Sequence, residues 1–489
     1  MENRIELSDE QKEIVMAPLR GRQKITAFAG AAKTTTMEYK ARHLSEVHGM
    51  RGLYLAFNKS AQLEAESRFG DAALARTPHS MAFRVFGKRY SRKLGEMRPR
   101  DLVEDDIVPV YPEARAVLET IHQYCISADT DFPSKVNASI KDGITTARSI
   151  ALGWVAKQLW DQMCDPQSDV PMTHDGYLKL YQLSNPRLPG DYLMVDEFQD
   201  TNPVTMAIVK AQPHPVIVVG DPYQSIYAFR GAINAMRFFK ADSEFSLTHS
   251  FRFGPAIADL ANKVLHDHFA EKRKIVGAGA ATSVFRPGSP KPDKYAILSR
   301  TNAELFEHAV HALECDLSMS FIGGVKGYNF ERLRDAQLLA ENRRYEIRDS
   351  FIRSFSSLGE MEDYAEEVED YETARLAKIA RSYGAELHTL VPQIISNGRT
   401  YKSGDQSDRV MSTAHKSKGA TLDYVVLCDD FKPMLSDETT HKDIDEQEVN
   451  LAYMAATRPR YALYLNEVFC KFLERNPALS IDAQQSLHF

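Results

Sequence analysis

Residues 23–36 read Gln23-Lys-Ile-Thr-Ala-Phe-Ala-Gly-Ala-Ala-Lys-Thr-Thr-Thr36, and this stretch decides the fold. Its first part, Gln23–Phe28, is a short apolar strand. A loop of small residues follows and ends in Lys-Thr, where a helix begins. Gly52–Phe57 reads as a second strand about one helix later. Strand, loop, helix and strand in that order make one unit of a parallel sheet. Small residues let backbone N–H groups turn toward phosphate oxygens at a helix N-terminus. In that arrangement Lys33 reaches the β/γ oxygens and Thr34 offers its hydroxyl to Mg²⁺. The strict pattern has Gly at its first and sixth positions, where this chain has Ala27 and Ala32. Taken alone, the loop also reads as an Ala-rich helix start.

A second stretch settles the choice. In Leu193-Met-Val-Asp-Glu-Phe-Gln-Asp200, apolar residues lead directly into an Asp-Glu pair. A sheet strand delivering a metal-binding Asp196 and a water-activating Glu197 beside phosphates has this form. Tyr192–Val195, a helix from about Pro203 and Val216–Val219 then make one right-handed crossover. Residues from about 84 to 185 are mainly helical in pattern and interrupt this sheet. A further block starts near Leu247, with Tyr295–Leu298, Tyr424–Leu427 and Ala462–Leu465 as strands. The stretch 326–404 is charged, poor in strand pattern, and reads as a helical insertion.

The fold class expected is therefore α/β, with two parallel-sheet cores that each carry an inserted, mainly helical subdomain. The first core takes 1–84 and 187–246, with 85–186 inserted. The second takes 247–325 and 405–489, with 326–404 inserted.

At 489 residues the chain allows roughly three compact units. Its 43% apolar and 10% aromatic content excludes wholesale disorder. No apolar run approaches the ~20 residues of a membrane span, and the start Met1-Glu-Asn-Arg carries charges where a signal peptide is expected to carry its apolar stretch. Five cysteines (125, 164, 315, 428 and 470) lie far apart with no CxxC pair. Reduced thiols in an intracellular protein are expected (cytoplasm or nucleoid, or nucleus in a eukaryote), and zinc is not.

The net charge of −7, from 60 Lys+Arg against 67 Asp+Glu, argues weakly against a nucleic-acid coat protein. That average hides two clusters. Arg84–Arg100 has seven basic residues and one acid, interleaved with Phe86 and Tyr90, and Glu360–Glu372 has eight acids and no base.

The motif Val219-Gly-Asp-Pro-Tyr-Gln-Ser-Ile-Tyr-Ala-Phe-Arg-Gly231 extends the pattern. With it the chain resembles the superfamily 1 helicases of the UvrD/Rep/PcrA type, closest in motifs to the F-box DNA helicase branch. The resemblance runs from Leu7-Ser-Asp-Glu-Gln11 through Leu55-Ala-Phe-Asn-Lys-Ser60 and Thr77-Pro-His-Ser80. It continues through Asp196–Thr201, Ser246-Leu-Thr-His-Ser-Phe-Arg252, Thr413-Ala-His-Lys-Ser-Lys-Gly419 and Asn450-Leu-Ala-Tyr-Met-Ala-Ala-Thr-Arg458.

That resemblance implies a fold and a set of residue roles. The two cores are RecA-like, with ATP in the cleft between them. By the same likeness, Gln11 reads the adenine edge and Phe251 stacks on the base. Gly30, Ala31, Ala32, Lys33, Thr34 and Thr35 hold the phosphates. Thr34 and Asp196 hold Mg²⁺, and Glu197 activates water. Gln224 senses the γ-phosphate, while Arg252 and Arg458 are arginine fingers. Phe229 and Arg230 stack on a base, and Asn58, His79 and His415 contact the strand backbone.

Four departures from the family pattern stand out. Ala32 replaces a glycine, at small cost if its φ is negative. Thr421 and Asp423 stand where the family often has Leu-Glu-Phe, so the ribose-binding carboxylate is absent or displaced. No F-box precedes Gln11, so no ubiquitin-ligase role is expected. The second insertion is far shorter than the mobile subdomain of UvrD-type enzymes.

The expected activity is an ATP- and Mg²⁺-dependent DNA helicase and translocase moving 3′ to 5′. Its partners are single-stranded DNA and single/double-strand junctions, with RNA a weaker expectation, no membrane, and protein partners unknown. Two alternatives stay open: a translocase that strips proteins from single strands, and an ATP-gated binding switch.

Overall fold

The computed structural model describes residues 6–136, 145–367, 370–431 and 444–474. Val368 and Glu369 of the acidic cluster lie outside them. The chain divides into two units. The first holds residues 1–28 and 32–247, and the second holds 29–31 and 248–489.

Six strands build the first unit: β1 Arg22–Ala27, β2 Gly52–Leu55, β3 Ala73–Arg76, β4 Tyr192–Val195, β5 Val216–Gly220 and β6 Ser243–Leu247. They form one sheet in the order β3-β2-β4-β5-β1-β6. Every pairing is parallel. Ile25 of β1 sits opposite Val219 on one side and Phe245 on the other. Strands β2, β4 and β5 are buried at every residue. A sheet covered on both faces has no polar side to alternate with, so its strands are unbroken apolar runs.

The edge strands β3 (Ala-Leu-Ala-Arg) and β6 (Ser-Glu-Phe-Ser-Leu) are partly exposed and lack such runs, and sequence reasoning missed both. Between β3 and β4 lie the helices Pro78–Val85, Pro99–Glu104, Tyr111–Ile126, Thr146–Cys164 and His174–Leu183. Tyr124, Trp160 and Leu159 from this helical stretch join one apolar cluster with Leu53, Val195 and Val218 of the sheet.

The second unit adds β7 His249–Ser250, β8 Val276–Gly277, β9 Ser283–Phe285, β10 Tyr295–Ser299, β11 Met319–Phe321, β12 Arg399–Thr400, β13 Arg409–Thr413, β14 Leu422–Leu427 and β15 Pro459–Tyr464. Seven of them form a sheet in the order β12-β11-β13-β10-β14-β15-β9, and β7 pairs with β8. All of these pairings are parallel.

Helices Glu331–Ala340, Leu358–Glu367, Tyr371–Tyr383 and Leu387–Asn397 fill the interval between β11 and β12. Arg399 and Thr400, inside the stretch expected to be insertion, pair with β11 as the edge of the sheet. Two residues are too few to show a strand period, which is why the sequence did not reveal them. Two parallel-sheet cores are thus present, as expected.

Candidate nucleotide site and nucleic-acid interface

In a parallel α/β sheet, ligands gather outside the carboxyl ends of the strands. Neighbouring strands β4, β5 and β1 deliver three motifs to that edge. The loop after β1 ends at Ala32, which caps helix Lys33–His48 without any side-chain bond. Its first-turn N–H groups are therefore not used by a capping side chain.

Ala32 has φ +54° and ψ +43°. The negative φ under which alanine fits cheaply is not the one adopted. The left-handed conformation presses Cβ toward the following carbonyl, at roughly 1–2 kcal/mol for a residue other than glycine. Gly30 is also left-handed, at φ +76°. Ala29–Ala31 group with the second unit, where the Gly30 carbonyl accepts a bond from Phe251 N–H at 2.9 Å.

Lys33 Nζ lies 2.6 Å from Glu197 Oε1. Burial alone would lower the Lys33 pKa, but Glu197, then Asp196 and Asp221, hold it above the usual lysine value. The second oxygen of Glu197 accepts from Gln199 Nε2 at 2.5 Å, and Gln199 Oε1 accepts from Asp221 N–H at 3.2 Å. Asp221 Oδ2 in turn accepts from Gln224 Nε2 at 2.7 Å. A continuous chain of bonds therefore joins the residue expected to activate water to the residue expected to sense phosphate.

Gln199 is fully buried, and a Cβ added at Gly220 would lie 2.2 Å from its Oε1. Glycine at 220 makes room for the relay. Glu197 itself is left-handed, at φ +48°. A carboxylate residue held in that sparsely populated region marks a place where the surroundings over-determine the backbone.

Asp196 is buried, and burial together with the adjacent Glu197 carboxylate raises its pKa against Lys33 and the Tyr54 hydroxyl. Tyr54 O–H donates to Asp196 Oδ2 at 2.5 Å, and Thr34 also interacts with that hydroxyl. Two hard oxygen donors, the Thr34 hydroxyl and the Asp196 carboxylate, thus meet around Tyr54. They suit Mg²⁺, which is held by few protein oxygens and keeps most of its waters. Sequence reasoning found neither Tyr54 nor Gln199. Both owe their place to adjacency between strands, which the order of residues along one strand does not display.

Gln11 is buried on helix Asp9–Met16, where Ser8 and Gln11 form a reciprocal capping box. Its Oε1 accepts from Ser8 N–H and its Nε2 donates to Thr36 Oγ1, both at 3.0 Å. One amide hydrogen and one lone pair remain for a purine edge. Lys40, fully buried, donates to the Val15 and Ala17 carbonyls and ties that helix to Lys33–His48. Thr35 Oγ1 accepts from Arg68 Nη2 at 2.8 Å.

Of the five residues expected to meet a strand, Asn58, His79, Phe229 and Arg230 lie in the first unit and His415 in the second. Phe229 is 68% exposed, which excludes a role as a core side chain. Its ring stands 5.9 Å from that of Tyr227, which stacks on Phe57 at 5.4 Å, and the Arg230 guanidinium lies 5.6 Å from the Phe229 centroid. Phe57 and Tyr227 extend an aromatic row that the sequence showed only as Phe229.

His79 Nε2 lies 3.1 Å from Asp175 Oδ1 and lines an open groove of about 600 Å³ with Lys59, Arg76, Phe83, Arg84 and Tyr177. Burial would raise Asp175, but the His79 bond and nearby imidazoles hold it below the usual carboxylate value. Asn58 uses Oδ1 to cap helix Lys59–Phe69, accepting from Ala61 N–H at 2.9 Å. That bond makes Asn58 the N-cap of the helix.

In the second unit, Phe251 is 46% exposed. Arg252 Nε donates to Thr421 Oγ1 at 3.2 Å and Nη1 to the Thr457 carbonyl at 3.0 Å. The unusual Thr421 thus holds a functional candidate, while Asp423 is engaged by Arg460 at 2.6 Å. Arg458 is buried, its guanidinium donating to the Met454 carbonyl at 2.9 Å and the Ala420 carbonyl at 3.4 Å. His415 starts the short 3₁₀ turn His415–Ser417 just past β13.

Comparison with known proteins gives a concordant result. The UvrD/REP helicase N-terminal domain family matches residues 184–245, and the UvrD-like helicase C-terminal domain family matches 329–468. F-box DNA helicase 1 of Gallus gallus is 30% identical over 505 residues, covering 95% of this chain and 49% of the relative. F-box DNA helicase protein 1 of Schizosaccharomyces pombe is 28% identical, covering 95% and 58%. DNA helicase II of Haemophilus influenzae is 25% identical over 399 residues, covering 68% and 53%. The chain spans about half the length of the curated relatives it matches. Among the described residues, no helix is long and apolar enough to cross a membrane.

Proposed function

We propose that this chain, a member of the UvrD-like helicase family, uses ATP and Mg²⁺ to move 3′ to 5′ along single-stranded DNA and to separate the strands of a duplex. One observation carries this reading. The bond relay Glu197–Gln199–Asp221–Gln224 ends a few residues before the aromatic row Tyr227–Phe229, so phosphate chemistry and a base-stacking surface share one short segment.

In the proposed mechanism Lys33 leaves Glu197 for the β/γ oxygens when phosphate arrives. The freed Glu197 then orients the attacking water and takes its proton. Thr34 and Asp196 would hold Mg²⁺, which when bound would neutralise charge on the phosphates. Gln224 follows the presence of the terminal phosphate through its bond to Asp221. Arg252 and Arg458 take the charge-stabilising role that the resemblance gives them, worth ~10³ or more in kcat for a supplied arginine. Phe229 and Arg230 stack on a base, while Asn58, His79 and His415 contact the strand backbone, His79 from the basic groove it lines.

The 3′-to-5′ direction, the preference for strand junctions and a site of action inside the cell rest on family likeness. The test uses duplexes with a 3′ tail, a 5′ tail or none. Displacement of the 3′-tailed duplex, with ATPase stimulated more by DNA than by RNA, is expected. Opening of the 5′-tailed duplex alone would reverse the direction. Stimulated ATPase without displacement would favour the protein-stripping translocase, and stimulation without directional movement would favour the switch.

A further inference from the structure

The second unit holds a cluster of side chains that the nucleotide chemistry does not use. Glu304 and His308 stand one turn apart on helix Asn302–Glu314, which follows β10. Cys428 follows β14, the neighbour of β10 in the sheet, and its N–H donates to the Leu298 carbonyl at 2.9 Å. Cys428 Sγ lies 3.2 Å from His308 Nε2, and Glu304 Oε1 lies 4.0 Å from the same nitrogen. All three donor atoms fall within 4.8 Å of one another.

Around a tetrahedral zinc ion, with bonds of ~2.0–2.3 Å, neighbouring donors stand about 3.3–3.6 Å apart. The Cys428–His308 separation is already close to this, and the Glu304 carboxylate is within a small rotamer adjustment of it.

We propose that Glu304, His308 and Cys428 form a three-ligand site for a borderline-soft divalent cation of the zinc class, tying the helix after β10 to the end of β14. The donor set is a thiol, an imidazole and a carboxylate, the three ligand types zinc takes. The supports are built. Arg375 Nη2 holds the other carboxylate oxygen of Glu304 at 2.6 Å, which leaves Oε1 facing His308. Asn466 Nδ2 fixes the Cys428 carbonyl.

Cys428 is buried, while the His308 side chain is 36% exposed and gives an entry path and a solvent-facing fourth position. The Nε2 lone pair of a neutral imidazole is the donor such a cation takes. Arg375 and Lys291 oppose a cation, but Glu304, Glu307, Asp429 and Asp430 outnumber them. Binding releases the Cys428 thiol proton to solvent as the metal–sulfur bond forms. The absence of a CxxC pair made zinc unexpected, because the ligands are an i,i+4 helix pair and a strand end 120 residues further on.

The test is Co²⁺ titration of the intact chain followed by Zn²⁺ competition. A thiolate-to-cobalt charge-transfer band with four-coordinate visible bands is expected, lost on addition of Zn²⁺. Cys428→Ser should abolish the band, and Cys315→Ser, on the exposed end of the same helix, should keep it. Glu304→Gln and the half-exposed His308→Ala should each weaken Zn²⁺ binding by roughly 10–100-fold or more. No binding by the wild-type chain overturns the proposal, as does a band that survives Cys428→Ser or disappears in Cys315→Ser. If Cys428→Ser does not fold, unchanged Zn²⁺ affinity in His308→Ala and Glu304→Gln overturns it equally.

Discussion

Lys33 Nζ and Glu197 Oε1 form an ion pair at 2.6 Å between two residues assigned opposite tasks, phosphate binding and water activation. Phosphate oxygens and the Glu197 carboxylate compete for the same lysine, so binding of one partner bears on the other. Lys33→Ala should abolish hydrolysis and duplex displacement while leaving single-strand binding within a few-fold, read by anisotropy. Glu197→Gln should bind ATP yet turn over roughly 10²–10⁴-fold more slowly, as for loss of a general base. Failure of Glu197→Gln to bind nucleotide would recast the pair as structural.

Ala32 offers a second handle, since its left-handed backbone carries a cost that glycine does not. Ala32→Gly should raise stability by about 1 kcal/mol, the relief of strain being partly offset by greater freedom in the unfolded chain. Urea midpoints at constant slope would measure it. A variant less stable than the parent would mean the loop adopts another conformation.

Phe229 is exposed and flanked by Tyr227 and Arg230. Phe229→Ala should lose about 1–3 kcal/mol of single-strand affinity, the worth of one stacked base. ATPase without DNA should survive, because Lys33, Asp196 and Glu197 are untouched. Duplex displaced per ATP should fall steeply at saturating DNA. Normal coupling in this variant would remove Phe229 from the strand path.

Lys40 predicts a pH dependence away from the catalytic carboxylates. Burial pulls it down to about 8 from 10.5. Between those values the unfolded chain keeps a proton that the folded one has shed, so this residue makes stability rise with pH across that window. Below about 8 both states are protonated and the full cost of burying the charge remains. Lys40→Met removes the effect. The stability difference, wild type minus variant, should therefore shift toward the wild type between pH 7.5 and pH 9.5. A constant difference would mean that Lys40 titrates normally.

What the sequence displayed and what it hid divide along physical lines. Val216–Gly220 and Tyr192–Val195 were legible because a strand buried on both faces must be apolar throughout. Lys33 was picked out because it opens the helix after the small-residue loop that follows β1, and Asp196 and Glu197 because they directly follow β4. Gln199 was visible within its motif, yet its task depends on Gly220, a residue on the neighbouring strand whose missing Cβ admits its carboxamide. Tyr54 and Phe57 were hidden for the same reason. Asn58 carries a further signal that the sequence also displayed: an asparagine directly before a helix is a cap, and its Oδ1 is used as one. The φ of Ala32 is fixed by the turn it must make into Lys33–His48, which residue identity alone did not convey.

The register of β1 has a consequence for how the chain comes to exist. Both of its neighbours, β5 and β6, are encoded about 190 and 220 residues after it. On a ribosome the strand that leads into the phosphate loop therefore waits without either sheet partner while the whole β3–β4 connection is made. At ~5–20 residues per second, that interval is on the order of 10–40 s. Closing so long a loop also places this unit among slowly assembling topologies. The loop that begins the chemistry is thus among the last parts of its sheet to take shape, and a nascent chain shorter than residue 216 has no strand on which to seat it.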